Sequence, residues 1–168
     1  MKSMCFKNII RLLLCLSMVA MFSSCGTKKS QAYYDYKTQY VATERDGSYT
    51  VRSWGRGRNA VDALEEARKQ AIYDVVFTGL EPSSSLNLSP VKPLLLEVNA
   101  KDKYADYFNT FFQDKGAYLD FCSVKERKWL TSKWARADGN SLCETTVCVY
   151  ASKLKGKLIQ DGILKVTE

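Results

Sequence analysis

An α+β domain is predicted for residues 36–168, with an antiparallel sheet of about four strands, helices on one face and the element order ββααββα. Three observations predict it. Alternating runs flank Arg45-Asp46-Gly47, and an Asp-Gly pair in that setting is a strong hairpin signal. The apolar period changes from two to about 3.6 between Asn59 and Thr78. Aromatic side chains then recur at Tyr104, Tyr107, Phe108, Phe111 and Phe112, the spacing of one helical face.

Residues 36–44 and 48–54 read as the first two strands, with Tyr49, Val51 and Ser53 on one face and Thr50, Arg52 and Trp54 on the other. The helix over 59–78 has Asn59 as its cap, Asp62 near its positive end and Gly79 as its stop. Its row of Ala63, Ala67 and Ala71, flanked by Leu64, Ile72, Val75 and Val76, allows close approach to a sheet. Residues 80–98 contain Pro82, Pro90, Pro93 and Ser83-Ser84-Ser85 and are expected to be irregular. Within them Ser83 to Lys92 is expected to arch outward, with Leu94, Leu95 and Leu96 as a buried foot. Asp102 to Lys115 reads as the aromatic helix, ended by Gly116. Residues 118–134 and 141–151 alternate as strands around Arg136-Ala137-Asp138-Gly139-Asn140. Ser152 then caps a last helix carrying Leu154, Leu158, Ile159 and Ile163, with Gly162 near its end.

Composition excludes several kinds of chemistry. The chain of 168 residues has no histidine, so neither a Ser-His-Asp nor a Cys-His nucleophile can be built, and the usual zinc ligand is missing. No metal site and no cofactor are expected. The 25 basic residues are scattered, with Arg56 and Arg58 near one turn, Lys125, Arg127 and Lys128 in a strand, and Lys153, Lys155 and Lys157 near the end. A nucleic-acid reader would cluster them among stacking aromatics, so nucleic acid is not an expected partner.

The first 24 residues read as a targeting segment. Lys2, Lys7 and Arg11 precede an apolar run from Leu12 to Phe22, which is too short for a membrane span of roughly 20 residues. The run ends in Phe22-Ser23-Ser24-Cys25-Gly26, which resembles the lipobox of bacterial lipoproteins, with Phe22 where the common pattern has Leu. That resemblance implies lipid on the Cys25 thiol, cleavage before it, and a tether over 25–35. An ordinary secretory signal with a chance cysteine is the other reading. Thr27-Lys28-Lys29 lacks the acidic residues that follow the cysteine in some surface-exported lipoproteins. The expected location is therefore the outer membrane, facing the periplasm. Loss of Lys2, Lys7 and Arg11 leaves 22 basic against 18 acidic residues.

Cys122, Cys143 and Cys148 then remain in an oxidising compartment. A hairpin turning at Ala137-Asp138 would set position 148 opposite about 127, leaving Cys122 about 17 Å away along the strand. Disulfides tolerate roughly 7 Å between α-carbons, so all three are expected to be buried small hydrophobes.

Gly55-Arg56-Gly57-Arg58-Asn59-Ala60 fits G-x-G-x-x-A between a strand and a helix. The acidic residue that should end a second parallel strand is absent, because Asp74 falls inside the helix. Arg56 and Arg58 remain candidates for holding a phosphate or carboxylate at the helix N-terminus, with glycine flexibility as the alternative. Glu65 and Glu66 lie about 100° apart around their helix, and Asp102 and Asp106 share the polar side of the aromatic helix, so solvation explains both pairs.

From Val51 to Leu80 the chain has a strand, a Trp-Gly-x-Gly turn and regularly spaced alanines ending in Val75-Val76-Phe77-Thr78-Gly79-Leu80. This resembles small envelope lipoproteins of the LPP-twenty type and the N-terminal domain of flagellar assembly protein T. Tyr107-Phe108-Asn109-Thr110-Phe111-Phe112 resembles a block in related lipoproteins of uncharacterised function. The resemblance implies an envelope α+β domain without a known catalytic residue. The expected function is a non-catalytic binding or scaffold module, held to the membrane through Cys25 and touching an envelope protein through Ser83, Ser84, Ser85 and Asn87. The alternative is an envelope enzyme acting on cell-wall or glycan material through carboxylates such as Asp102 or Glu144. Convergence of those carboxylates in a cleft would favour it.

Overall fold

A computed structural model describes residues 37–83, 86–130 and 141–165. The signal segment, Cys25, the tether, Ser84, Ser85 and the turn over 136–140 lie outside the described residues. Residues 35–168 form one unit, and the α+β class predicted from the sequence is the class observed. The strands are β1 (Gln39–Thr43), β2 (Tyr49–Gly57), β3 (Glu81–Pro82), β4 (Cys122–Leu130) and β5 (Ser141–Val149). The helices are α1 (Ala60–Tyr73), a π-helix over Asp74–Thr78, α2 (Ala100–Lys103), α3 (Ala105–Phe111), a 3-10 helix over Ala117–Phe121, and α4 (Ala151–Gln160).

The sheet order is β3-β1-β2-β5-β4. The described residues thus hold five strands rather than four, and β3 makes the sheet mixed. β3 runs parallel to β1, Gln39 opposite Glu81 and Tyr40 opposite Pro82. Its second residue is a proline, which lacks an N–H donor and is tolerated at a sheet edge. The opposite edge, β4, carries the run Lys125-Glu126-Arg127-Lys128 and a bulge between Val124 and Glu126. Charge and a bulge both discourage pairing with another strand. Beside the bulge the buried Thr145 hydroxyl donates to the Glu126 carbonyl at 2.6 Å.

One sheet face holds the core. Val51 and Val147 are paired and fully buried, with Tyr40 and Val124 extending the same row. Helices cover this face, and Ile72, Val76, Phe108, Phe111, Leu154 and Leu158 join those valines in one cluster. On the other face the corresponding row is Gln39, Arg52, Thr146 and Glu126. That alternation is the expected pattern for a sheet covered on one side.

Several local expectations are corrected by tertiary contacts. The aromatic helix is broken at Tyr104, whose φ of −113° and ψ of 27° are not helical, and it ends at Phe111 rather than Lys115. Residues 117–121 form a 3-10 turn rather than the start of a strand. Lys115 there has φ 58°, and its N–H donates to Glu65 Oε1 at 2.9 Å. The Tyr118 hydroxyl donates to the same oxygen at 2.6 Å, so Glu65 ties α1 to the following turn instead of being merely solvated. These two donors hold the Glu65 carboxyl below the usual carboxylate range, while burial and Glu65 push the Tyr118 phenol upward. The last helix begins at Ala151, after Tyr150 rather than after a Ser152 cap. Leu95 is buried and Leu94 partly so, but Leu96 points outward.

The β4–β5 register differs from the expected one by four residues, since Cys148 faces Ser123 and Cys122 faces Val149. Cys122 and Cys148 therefore occupy adjacent ladder positions but opposite faces. All three cysteines are free, as expected, with Cys143 and Cys148 buried and Cys122 half-buried. Desolvation pushes the Cys122 thiol up to about 11, which leaves it an unreactive neutral group.

Candidate functional site

The turn from β2 into α1 is shaped by close packing. A Cβ on Gly55 would lie 2.1 Å from the Ala63 carbonyl oxygen and 2.3 Å from the Ala67 nitrogen. One on Gly57 would lie 2.4 Å from the Ala63 nitrogen. The glycines of β2 and the alanine row of α1 therefore meet backbone to backbone, with Ala63, Ala67 and Ala71 fully buried. Asn59 caps the helix as expected, its Oδ1 accepting from Val61 N at 2.8 Å and Asp62 N at 2.9 Å. These are the donors an anion would need. Arg58 Nε lies 3.2 Å from Asp62 Oδ2, and Arg56 is an exposed β2 residue opposite Leu142. The arrangement spends both helix donors and Arg58 on the chain itself.

The carboxylates do not converge. Glu144 lies on the polar sheet face, 3.7 Å from Arg52. Asp102 is exposed on α2, which enters the core through Ala100 on the helix side. The sheet stands between them. On the polar face Lys125 also reaches Glu44 at 2.5 Å and Thr50 at 3.0 Å, bridging the bulge to the β1–β2 turn. Hydrogen bonds from Lys125 and Thr50 hold the Glu44 carboxyl below its ordinary value.

The described ends of the segment 79–95 meet at a closed base. Gly79 has φ 85°, and a Cβ there would meet the Val91 carbonyl at 2.6 Å. Leu80 and Val91 exchange two backbone hydrogen bonds of 2.8 and 2.9 Å, closing the base. The π-helix explains why the chain returns to this point. Its Gly79 N–H bonds to the Asp74 carbonyl, five residues back, and the next carbonyls, of Val75 and Val76, accept from Leu94 N and Leu95 N. Above the base, Leu86 and Leu88 are each 39% exposed, Asn87 is exposed and Ser83 is half-buried. Of the six large apolar side chains exposed among the described residues, Leu86 and Leu88 lie in the arch and Leu96 and Val98 just after it.

An open depression of about 370 Å³, lined by Asp46, Ser48, Tyr150, Ser152 and Lys153, was missed at the level of sequence. Asp46 accepts there from Ser48 N at 3.0 Å and Ser48 Oγ at 2.9 Å, and Lys153 donates to the Asp120 carbonyl at 3.0 Å. The Asp-Gly-Ser turn was legible, but its meeting with α4 was not. Among the described residues no group of three or more His, Cys, Asp or Glu side chains is placed to hold a metal ion, and no helix is long and apolar enough to cross a membrane. No family model, curated protein or solved structure matches the chain.

Proposed function

We propose that the chain is a membrane-anchored envelope lipoprotein whose folded domain is a non-catalytic binding or scaffold module, sited on the outer membrane and facing the periplasm. The observation that carries the binding reading is the arch. Its base is locked by Leu80, Val91 and the π-helix carbonyls, while Leu86, Asn87 and Leu88 are held outward. Apolar side chains exposed above a closed base suit contact with another protein. The resemblance to LPP-twenty lipoproteins supports the same reading, as does the separation of Glu144 from Asp102 by the sheet.

The anchor is tested by labelling with an alkyne fatty acid. Cys25→Ala is expected to lose all label and Cys15→Ala to keep it. Retention of label in Cys25→Ala removes the anchor.

The contact is tested by replacing Ser83–Ser89 with a Gly/Ser linker of equal length. Crosslinking to the partner in cells is expected to disappear, with stability changed by less than about 1 kcal/mol, because the bonds that close the base are made by Leu80, Val91, Leu94 and Leu95, outside the replaced stretch. Undiminished crosslinking would remove the arch as the contact. A large loss of stability would assign Leu86 and Leu88 to the fold.

A further inference from the structure

Beyond the arch, the turn at Leu96–Asn99 projects two aliphatic side chains, Leu96 at 73% and Val98 at 97% exposure. Its neighbours on both sides, Leu95 and Ala100, are buried in the core. Backbone bonds from Leu95 N to the Val76 carbonyl and from Ala100 N to the Glu97 carbonyl fix the turn further. The acidic residue between the two aliphatics is neutralised, since Lys103 Nζ lies 2.7 Å from Glu97 Oε1. Lys101 sits 4.5 Å from the Tyr73 ring centroid, and Lys92 is exposed nearer the arch. With Glu97 paired to Lys103, the tip keeps Lys92 and Lys101 against the exposed carboxylate of Asp102, and an apolar tip with this basic excess matches the interface of a bilayer, where aliphatics enter the acyl boundary and lysines face anionic headgroups.

The point where the described residues begin bears on what covers this tip. The described residues begin at Lys37, and Gln39 pairs with Glu81 of β3. β3 follows directly on the π-helix, whose Val76 carbonyl holds Leu95. The tether junction and the apolar turn thus belong to the same corner of the fold. The 12 residues from Gly26 to Lys37 reach at most about 43 Å even when fully extended. That is comparable with the width of a domain this size. We infer that the Leu96–Asn99 turn is a second membrane contact, seated in the bilayer that holds the lipid on Cys25. The inference rests on the lipid anchor proposed above.

The test uses the full lipidated chain in vesicles of phosphatidylethanolamine and phosphatidylglycerol. A photoreactive benzoylphenylalanine replaces Val98 or, as a control on the opposite edge of the sheet, the exposed Lys128. After irradiation, mass spectrometry reads phospholipid adducts and the acyl mass on the Cys25 peptide. About tenfold more adduct from position 98 than from position 128 is expected. Equal yields from acylated protein overturn the membrane contact alone. A Cys25 peptide without acyl mass overturns the anchor and the contact together. In whole cells, a protein adduct replacing the lipid adduct at position 98 overturns the membrane as occupant.

Discussion

Gly55→Ala is expected to destabilise the domain by about 3 kcal/mol or more, beyond the usual cost of one added methyl group in a packed interior. The new carbon would lie 2.1 Å from the Ala63 oxygen and 2.9 Å from the Ala67 α-carbon. Those atoms are backbone, so no rotamer change relieves the overlap and α1 as a whole must lift from β2. Lifting it opens the contacts of Ala71 and Ile72 within the main core and of Leu64 with Cys143. Gly156→Ala is the control. Gly156 lies on the exposed side of α4 with nothing within 4 Å of a new Cβ, so alanine there should stabilise by about 0.5–1 kcal/mol. Urea unfolding of the two variants should therefore shift in opposite directions. A Gly55→Ala midpoint equal to that of the parent protein would mean that α1 does not lie on β2 as described.

Phe108→Ala is expected to cost about 3–5 kcal/mol, a large share of the roughly 5–15 kcal/mol that holds a domain together. Phe108 is 6% exposed, and its ring centroid lies 4.7 Å from that of Phe77 and 5.1 Å from that of Tyr107. Phe111 and Phe112 lie within 6.3 Å of it. Removing the ring leaves a cavity between α3 and the π-helix, whose carbonyls are already tied to Leu94 and Leu95, so the two elements cannot readily close it. Val98→Ala removes a side chain that touches almost nothing and should change stability by less than about 0.5 kcal/mol. The comparison is made by chemical denaturation with circular dichroism. Equal midpoints for the two variants would show that the aromatic cluster adds little to folding.

Neither effect was fully legible beforehand, although the residues were. The aromatic spacing placed Tyr107, Phe108, Phe111 and Phe112 on one face, and all of them pack in the core or against it. The break at Tyr104 was hidden because it depends on how Ala100 and Phe108 must both reach that core. The Gly-x-Gly turn was read as flexibility or an anion site. Its role as a contact between backbones appears only once α1 is laid on β2. The arch was visible from Pro82, Pro90 and Pro93, yet the outward turn of Leu96 was not, since the bonds from Leu94 and Leu95 to the π-helix are long-range.

What the sequence determined by itself is what depends on neighbouring residues. Asn59 caps α1 through donors two and three residues ahead, Gly47 and Gly79 take positive φ where turns are needed, and alternation distinguishes strand from helix. The lipobox resemblance before Cys25 also rests on a short motif, and it stands as a proposal that the fatty-acid labelling tests. Tertiary structure decided everything that requires two distant segments to agree. The β4–β5 register sets Cys148 opposite Ser123 instead of its expected partner, and the bulge in β4 accounts for one residue of that four-residue shift. The returning segment 91–95 meets the carbonyls of the π-helix, β3 pairs in parallel with β1, and Glu65 is occupied by Lys115 and Tyr118 from fifty residues away. Local patterns state which face of an element is apolar, whereas register and satisfied carbonyls depend on which other element arrives there.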